Sequence, residues 1–520
     1  MSRDTVSRSL FVAGVVFVSI AGLSLGAGAQ ESSEPRTDEA TFAAVVEYVD
    51  EQRSMLGVPG MAIAIVVGDE VRIATGLGED SAGRPMTANT VFLINSISKS
   101  VTATALMQLV DSGWLDLDSP VATYVPELSP GGDLVTVREV MHHRSGISGE
   151  LDPRPGQHDL GVNSEVGPYL EAGADFKYTN LNYDLLALIV ERVSGERFAD
   201  YVTERVFVPL SMERSAVGTD RAKELNPTGG HYKWLLLGHR PLDVEVDHGQ
   251  VGSAAMYSTA NDLANYLIAH MNGGALDGNQ LLSEEAIATL HQANPFDADV
   301  IYGYGGGLFV EPANSFETPA ALAGHKTVWH DGNSETFRSV IWMTLGPDIG
   351  MVILANGNDV IEGSWLSQLS YGTRLLISGE EPTNVAFTVD FLTRWSKHIF
   401  LALALIQLAL VLLVIPTLRT LRSGQRLARR QWILLAAATM IDIGAATLVF
   451  VVTPAVAEAP LTIVMEFPDY RILLSSIILL VAWGLIRTIL SGLWFTRARR
   501  THPSGGPNSL QTSGTPTAGQ

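Results

Sequence analysis

Three apolar runs, at about residues 399–418, 432–453 and 472–495, lie in the last quarter of this 520-residue chain. Each reaches the ~20 residues that a helix needs to cross a hydrocarbon core. They read as three membrane-spanning helices. The loop after the first run, "RTLRSGQRLARR", holds five Arg, and the tail after the third begins "RARR". The loop after the second carries Glu458, Glu466 and Asp469 instead. Positively charged loops stay in the cytoplasm, so the remainder of the chain is expected on the opposite side. The N-terminus agrees: Arg3 and Arg8 precede an apolar stretch from Leu10 to Leu25, and Ala27-Gly28-Ala29 forms a cleavage-site pattern. Residues 1–29 therefore read as an export signal, cleaved or kept as an anchor. The expected organisation is a signal at 1–29, a body at 30–380, a linker at 381–398, three membrane helices at 399–495 and a disordered Ser/Gly/Pro/Thr-rich cytoplasmic tail at 496–520. The expected location is the plasma (inner) membrane, with the body extracytoplasmic (periplasmic).

The charge is unevenly placed. From residue 391 onward there are 12 Lys+Arg against 4 Asp+Glu, which leaves 22 against 51 in the first 390 residues. Nucleic acid is excluded as a partner, because phosphate binding needs a basic surface. The chain has no Cys, so it has no disulfide, thiol nucleophile or Cys-ligated metal, and it contains no His-x-x-x-His pattern. No metal and no cofactor are expected. Within the second and third spans, Asp442 and Arg487 stand at depths differing by only ~3 Å, counted at ~1.5 Å per residue. An interhelical ion pair is the expectation, with Arg487 snorkelling to the cytoplasmic surface as the alternative.

In the body, "TFAAVVEYVDEQRSML" has helical spacing, and "GMAIAIVVGDEVRIATGLG" reads as a hairpin turned at Gly68-Asp69. Near the other end, "FRSVIWMT" and "GMVILANG" read as strands joined by "LGPDI", followed by a helix in "IEGSWLSQLSYGTRLLI". The intervening chain is mostly helical. The fold class expected is therefore α/β: one antiparallel sheet formed by both ends of the body, with a helical insertion between them.

The run "VFLINSISKS" stops at Asn95-Ser96, with Lys99 three residues after Ser96. On a helix these two side chains share a face, so an amine stands beside a hydroxyl. A lone Ser-x-x-Lys is common, since Ser caps helices and Lys is frequent in first turns. Downstream come Tyr178-Thr179-Asn180 before a helix, then His330-Asp331-Gly332-Asn333. With the phrases "VREVMHHRSGIS" and "YGYGGGLFV", this ordered trio resembles the serine β-lactamase and DD-peptidase superfamily, in particular its class C β-lactamase-like branch (peptidase family S12 and related esterases). The likeness covers roughly residues 40–380 and implies a β-lactamase/transpeptidase-like fold. Two stretches compete for the third motif. The family pattern has a Phe seven positions after the motif's first residue, which fits His330 and Phe337 but not Lys326. Lys326-Thr327-Val328 also lacks the glycine, so His330-Asp331-Gly332 is taken as the motif. Thr336 departs from the Gly that usually precedes that Phe.

The resemblance implies an acyl-enzyme mechanism. Ser96 is the nucleophile, Lys99 and Tyr178 are its candidate bases, and the branch uses the tyrosine as a phenolate. A free phenol titrates near pH ~10, so neighbouring cationic charge must lower it for that role. Asn180 is expected to bond Lys99 and the substrate amide. The N–H groups of Ser96 and Asn333 are expected to hold the oxyanion, and His330 and Gly332 to line the substrate. His142 and His143 are read as structural, and His248 as a candidate at the pocket edge. True β-lactamases carry Lys at the position of His330, and a neutral imidazole there favours amides, esters or peptides over penicillins. The three-helix tail resembles membrane-bound prodrug-activating peptidases of the colibactin-peptidase type. Asn180 and Ser334 depart from the residues of that type, so its D-Asn specificity does not carry over. The expectation is a membrane-anchored peptidase or amidase acting on small acylated, lipidated or D-amino-acid-containing peptides, with membrane lipid as its surroundings. An esterase or β-lactamase-like hydrolase is the alternative. A membrane sensor that is acylated without turnover is a third reading, for which the short cytoplasmic parts leave no effector domain.

Overall fold

The computed structural model describes residues 34–501, apart from 130, 147–172, 174, 236, 245, 247, 296–301, 314–317, 359–364, 383, 386–390 and 454–467. The export-signal stretch and residues 502–520 lie outside it. The chain forms two compact units that divide at Arg394–Trp395.

In the first unit, helix α1 (Glu39–Leu56) opens where the Asp38 carboxylate accepts the Thr41 N–H at 2.9 Å, and ends at Gly57 in the left-handed conformation. Strands β1 (Gly60–Val67) and β2 (Glu70–Gly78) form the expected hairpin about Gly68-Asp69. They complete an eight-stranded antiparallel sheet. Its remaining strands, in spatial order, are Asn294–Pro295, Gly303–Tyr304, Phe309–Glu311, Thr327–Asn333, Arg338–Thr344 and Ile349–Ala355, the last of which pairs with β1. Ile63 sits opposite Ile353, so the two ends of the body share one sheet.

The central strands are apolar at nearly every position because both faces are covered. Along β1, Met61, Ile63 and Ile65 face α1 and the helix Trp365–Ile377, while Ala62, Ala64 and Val66 face the helical insertion. The insertion carries α2 (Ser98–Asp111), α3 (Val137–Met141) and α4 (Asn180–Ser194). α4 ends at Gly195, left-handed at φ 71°, which splits the long helical pattern that follows Asn180.

The body extends past the sequence-derived boundary at 380. Glu380 accepts the Ala320 N–H at 2.9 Å, and the N–H of the fully buried Val385 bonds Gln52 at 3.0 Å.

Among the described residues, the second unit contains three helices long and apolar enough to cross a membrane: Trp395–Arg422, Arg429–Val452 and Asp469–Thr496, with mean hydropathy 2.9, 2.1 and 2.2 over their most apolar stretches. Leu405, Leu412 and Leu479 project away from the protein at 57%, 63% and 71% exposure, as side chains that face lipid do. The buried face carries charge. Arg487 donates to Asp442 at 2.6 Å and to Thr439 at 3.2 Å, and Gln407 donates to the other Asp442 oxygen at 3.2 Å. Arg487 is 2% exposed, so it pairs across the helices rather than snorkelling. A second buried pair, Lys397–Asp469 at 2.9 Å, joins the first and third helices.

Candidate active site

Ser96 sits on a single tight turn, Asn95–Ile97, that leads into α2. Asn95 is buried with φ 49°, a left-handed conformation that costs energy for a residue with a Cβ. Its side-chain amide donates to the Phe337 carbonyl at 3.4 Å, and its own carbonyl accepts Ser98 Oγ at 2.6 Å. The β-branched run therefore stops at Asn95 because the backbone reverses there. Ser96 does not cap α2, since Ile97 holds that position without a side-chain bond. The hydroxyl is left partly exposed at the end of a strained turn.

Lys99 is fully buried, and its Nζ lies 3.1 Å from Ser96 Oγ, 2.8 Å from Asn180 Oδ1 and 2.9 Å from the Ser253 carbonyl. The last two groups only accept, so a neutral amine gives them its two hydrogens and turns its lone pair to Ser96. Burial pulls Lys99 down to about 7, against the raising effect of Asp184 and Asp331. Asn180 is the first residue of α4, and Thr179, not Asn180, occupies the cap position.

The Tyr178 ring centre is 4.8 Å from Lys99 Nζ. Burial pushes the phenol above its ordinary range, opposed in part by its hydrogen bond with Ser96. The lowering that a phenolate requires is absent from the resting site: Lys99, not Tyr178, has been brought to the value of a base near neutral pH. His143 packs on Tyr178 with ring centres 4.5 Å apart, and its Nδ1 meets the Asn182 amide at 2.9 Å and the Thr179 N–H at 3.3 Å. His142 bonds Asn294 at 2.7 Å. Both histidines are buried, with burial the main cause of values below the usual 6.5. The side chain of His248 lies outside the described residues.

The strand Thr327–Asn333 brings the third motif in. A Cβ on Gly332 would stand 2.4 Å from the Ile94 carbonyl and 2.2 Å from Ser339 Oγ, so only glycine lets this strand close on the turn that bears Ser96. The glycine thus admits the protein's own backbone at Ile94. His330 is buried, with Nδ1 2.6 Å from the Asp331 carbonyl and Nε2 3.2 Å from the Tyr304 hydroxyl. A carbonyl only accepts, so the proton is on Nδ1 and Nε2 receives the Tyr304 O–H. Burial lowers His330 to about 4, which keeps the imidazole neutral. Asn333 ends the strand, exposed, and its Oδ1 accepts the Asn358 amide at 2.7 Å. Thr336 is accommodated because Gly230 leaves room for it: a Cβ there would meet Thr336 at 2.5 Å.

Ser96, Lys99, Tyr178 and Asn180 thus converge, and His330 and Gly332 back them from the sheet. Lys326 does not join them. It precedes Gly332 by six residues, about 20 Å along a strand, and its Nζ lies 3.4 Å from the His291 carbonyl. Sequence reasoning missed Asn95, Asp184, Ser253 and Tyr304. Ser253 acts through its backbone, which side-chain patterns cannot reveal. The phrase "YGYGGGLFV" contains Tyr304 without assigning it a role, and a Cβ on its Gly307 (φ 74°) would stand 2.5 Å from the Lys99 backbone, where there is no room for one.

Residues 44–363 match the beta-lactamase family. The chain is 30% identical over 262 residues to penicillin-binding protein 4 of Amycolatopsis lactamdurans, covering 47% of this chain and 68% of that protein. It is 29% identical over 267 residues to a beta-lactamase of Yersinia enterocolitica, covering 50% of this chain and 66% of that one. The matched region thus spans about two thirds of these relatives' lengths. Among solved structures, the octameric penicillin-binding protein homologue from Pyrococcus abyssi superposes with a TM-score of 0.55 at 26% identity, covering 66% of this chain and 78% of that one. The sheet, the insertion and the family match agree: this chain belongs to the beta-lactamase family, within the serine β-lactamase/DD-peptidase superfamily.

Proposed function

We propose that the protein is a membrane-anchored, extracytoplasmic serine hydrolase of the class C β-lactamase-like (S12) kind. It works through an acyl-enzyme, as a peptidase or amidase on acylated or D-amino-acid-containing peptides. The observation that carries the reading is the Lys99 amine, fully buried, held by two acceptors and aimed at Ser96 Oγ at 3.1 Å.

In the first step neutral Lys99 takes the Ser96 proton as Oγ attacks the substrate carbonyl. The tetrahedral oxyanion is held by the N–H groups of Ser96 and Asn333; loss of one such donor costs about 2.7–4 kcal/mol where measured. Tyr178, protonated in the resting site, gives its proton to the leaving amine and recovers it from the Lys99 ammonium. The C–N bond breaks, the amine departs and Ser96 remains acylated. Water then attacks the ester, its proton passes to Lys99, and Ser96 is released with a proton returned through the same pair. Asn180 holds Lys99 and presents its amide N–H to substrate.

The neutral His330 bears on substrate choice. It presents no charge, and both ring nitrogens are engaged within the protein. The third motif therefore supplies no fixed cation for a free carboxylate, which favours amides and esters over penicillins. Turnover of N-acyl-D-aminoacyl amides, their L-counterparts, nitrophenyl esters and a chromogenic β-lactam by full-length protein tests this. The expected order places amides and esters above the β-lactam, and a β-lactam turned over fastest contradicts it.

A further inference from the structure

One turn beyond Asn180, α4 buries a second polar side chain among its leucines. Asp184 is 5% exposed, and its Oδ2 accepts Ser253 Oγ at 3.1 Å. Ser253 is fully buried, and its backbone carbonyl is the acceptor 2.9 Å from Lys99 Nζ. The preceding carbonyl, that of Gly252, accepts Thr102 Oγ1 at 2.7 Å. This short loop is therefore held from two sides, by Thr102 on α2 and by Asp184 on α4, with the amine between them. Thr102 follows Lys99 by three residues and Asp184 follows Asn180 by four, so each tether shares a helix face with a side chain of the site.

A tether for Ser253 needs only a neutral acceptor, which Asn would supply. A carboxylate buried here carries a desolvation penalty unless a cation compensates it. Asp184 acts on Lys99 in this way, alongside Asp331 from the neighbouring strand. The other titratable groups facing the amine are His330, His143 and Tyr178. Burial holds both histidines neutral near pH 7 and keeps Tyr178 protonated. The charge balance at the amine is thus between its own burial and two carboxylates.

We propose that Asp184 is a positioning residue for the nucleophile's base: through Ser253 it aims the Lys99 amine at Ser96, and its negative charge sets how readily that amine takes and releases a proton. The inference rests on reading Ser96 and Lys99 as nucleophile and base. It assigns Asp184 and Ser253 roles that the Ser-x-x-Lys, Tyr-x-Asn and His-x-Gly motifs do not contain.

The test is the rate of phosphonylation of full-length protein in detergent by a fluorophosphonate probe between pH 5 and 10, with Ser96→Ala as the blank. The wild-type rate is expected to rise through a limb near pH 7, where Lys99 loses its proton. Removing a neighbouring negative charge makes the ammonium easier to deprotonate. Asp184→Asn, which keeps the shape and an acceptor, therefore moves the limb down by about one pH unit, with the plateau within about tenfold of wild type. A purely structural role would change the plateau or the melting temperature and leave the limb in place. Ser253→Ala cuts the tether and keeps the charge, so its plateau falls by about tenfold while its limb moves less. A limb unmoved or raised in folded Asp184→Asn overturns the proposal. If that variant does not fold, a wild-type profile for Ser253→Ala overturns it. Wild-type protein that takes no label overturns the hydrolase reading and this inference together, whereas labelling with an unmoved limb overturns the inference alone.

Discussion

At Lys99, three short contacts decide what the side chain can do. Two acceptors that cannot donate leave a neutral amine one direction for its lone pair, and that direction is Ser96. Lys99→Ala and Tyr178→Phe are each expected to lower turnover by at least ~100-fold, the scale of a lost proton-transfer group. Lys326→Ala is expected to keep near wild-type turnover, and His330→Ala to damage it by disconnecting Tyr304 from the Asp331 backbone. Equal damage from the two would mean that the third motif lies at Lys326. The convergence of Ser96, Lys99, Tyr178 and Asn180 was legible because the motifs that carry the family resemblance hold those residue types at fixed local spacing. The strained backbone at Asn95 and the Ser253 carbonyl were not, because a φ angle and a main-chain oxygen carry no residue signature. The protonation of Tyr178 was also hidden: it depends on how deeply the fold buries the ring.

Elements show the same division between local pattern and tertiary context. The β1–β2 hairpin and the strands at 338–344 and 349–355 could be read from apolar runs broken by turn residues. β1 and the strands at 338–344 and 349–355 are buried on both faces, whereas β2 at the sheet edge is partly exposed. Helix α2 carries a further buried network: Thr104 Oγ1 meets Tyr266 at 2.9 Å and His270 Nε2 at 3.3 Å, and His270 Nδ1 lies 3.1 Å from His291. Burial holds His270 well below its ordinary 6.5. The unfolded chain therefore binds this proton first as pH falls below ~6.5, and folded-state stability drops by up to about 1.4 kcal/mol per pH unit for this one group. Urea unfolding at pH 7 and pH 5 checks this, and His270→Gln should flatten the difference by about one proton's worth. No change in slope would mean that the acid sensitivity lies with other histidines. Among the membrane-length helices, reversing charge at Asp442 or Arg487 alone leaves a buried charge uncompensated and should destabilise the protein, while the double swap restores it. Thermal melts in detergent measure this, and failure of rescue would show that Gln407 and Thr439 fix the pair's polarity.

Taken whole, the chain joins a β-lactamase-family body to three helices fitted by composition and length to a bilayer. A tether needs only one such helix, because a single span is already effectively irreversible. Three helices joined by two buried ion pairs form a specific packed unit, and whether that unit takes part with the substrate is tested by removing it. A chain ending near Arg394, which retains Glu380 and Val385, is expected to hydrolyse small soluble esters at the full-length rate and to lose activity on long-chain acyl-aminoacyl substrates presented in liposomes. Equal loss on both would assign the helices to stability, and no loss on either would make them a tether. The account depends most directly on the nucleophile. Full-length protein treated with a fluorophosphonate probe, digested and mapped by mass spectrometry, should carry one adduct, on Ser96, and the Ser96→Ala variant should carry none. Wild-type protein without an adduct, or an adduct that persists after Ser96→Ala, would contradict it.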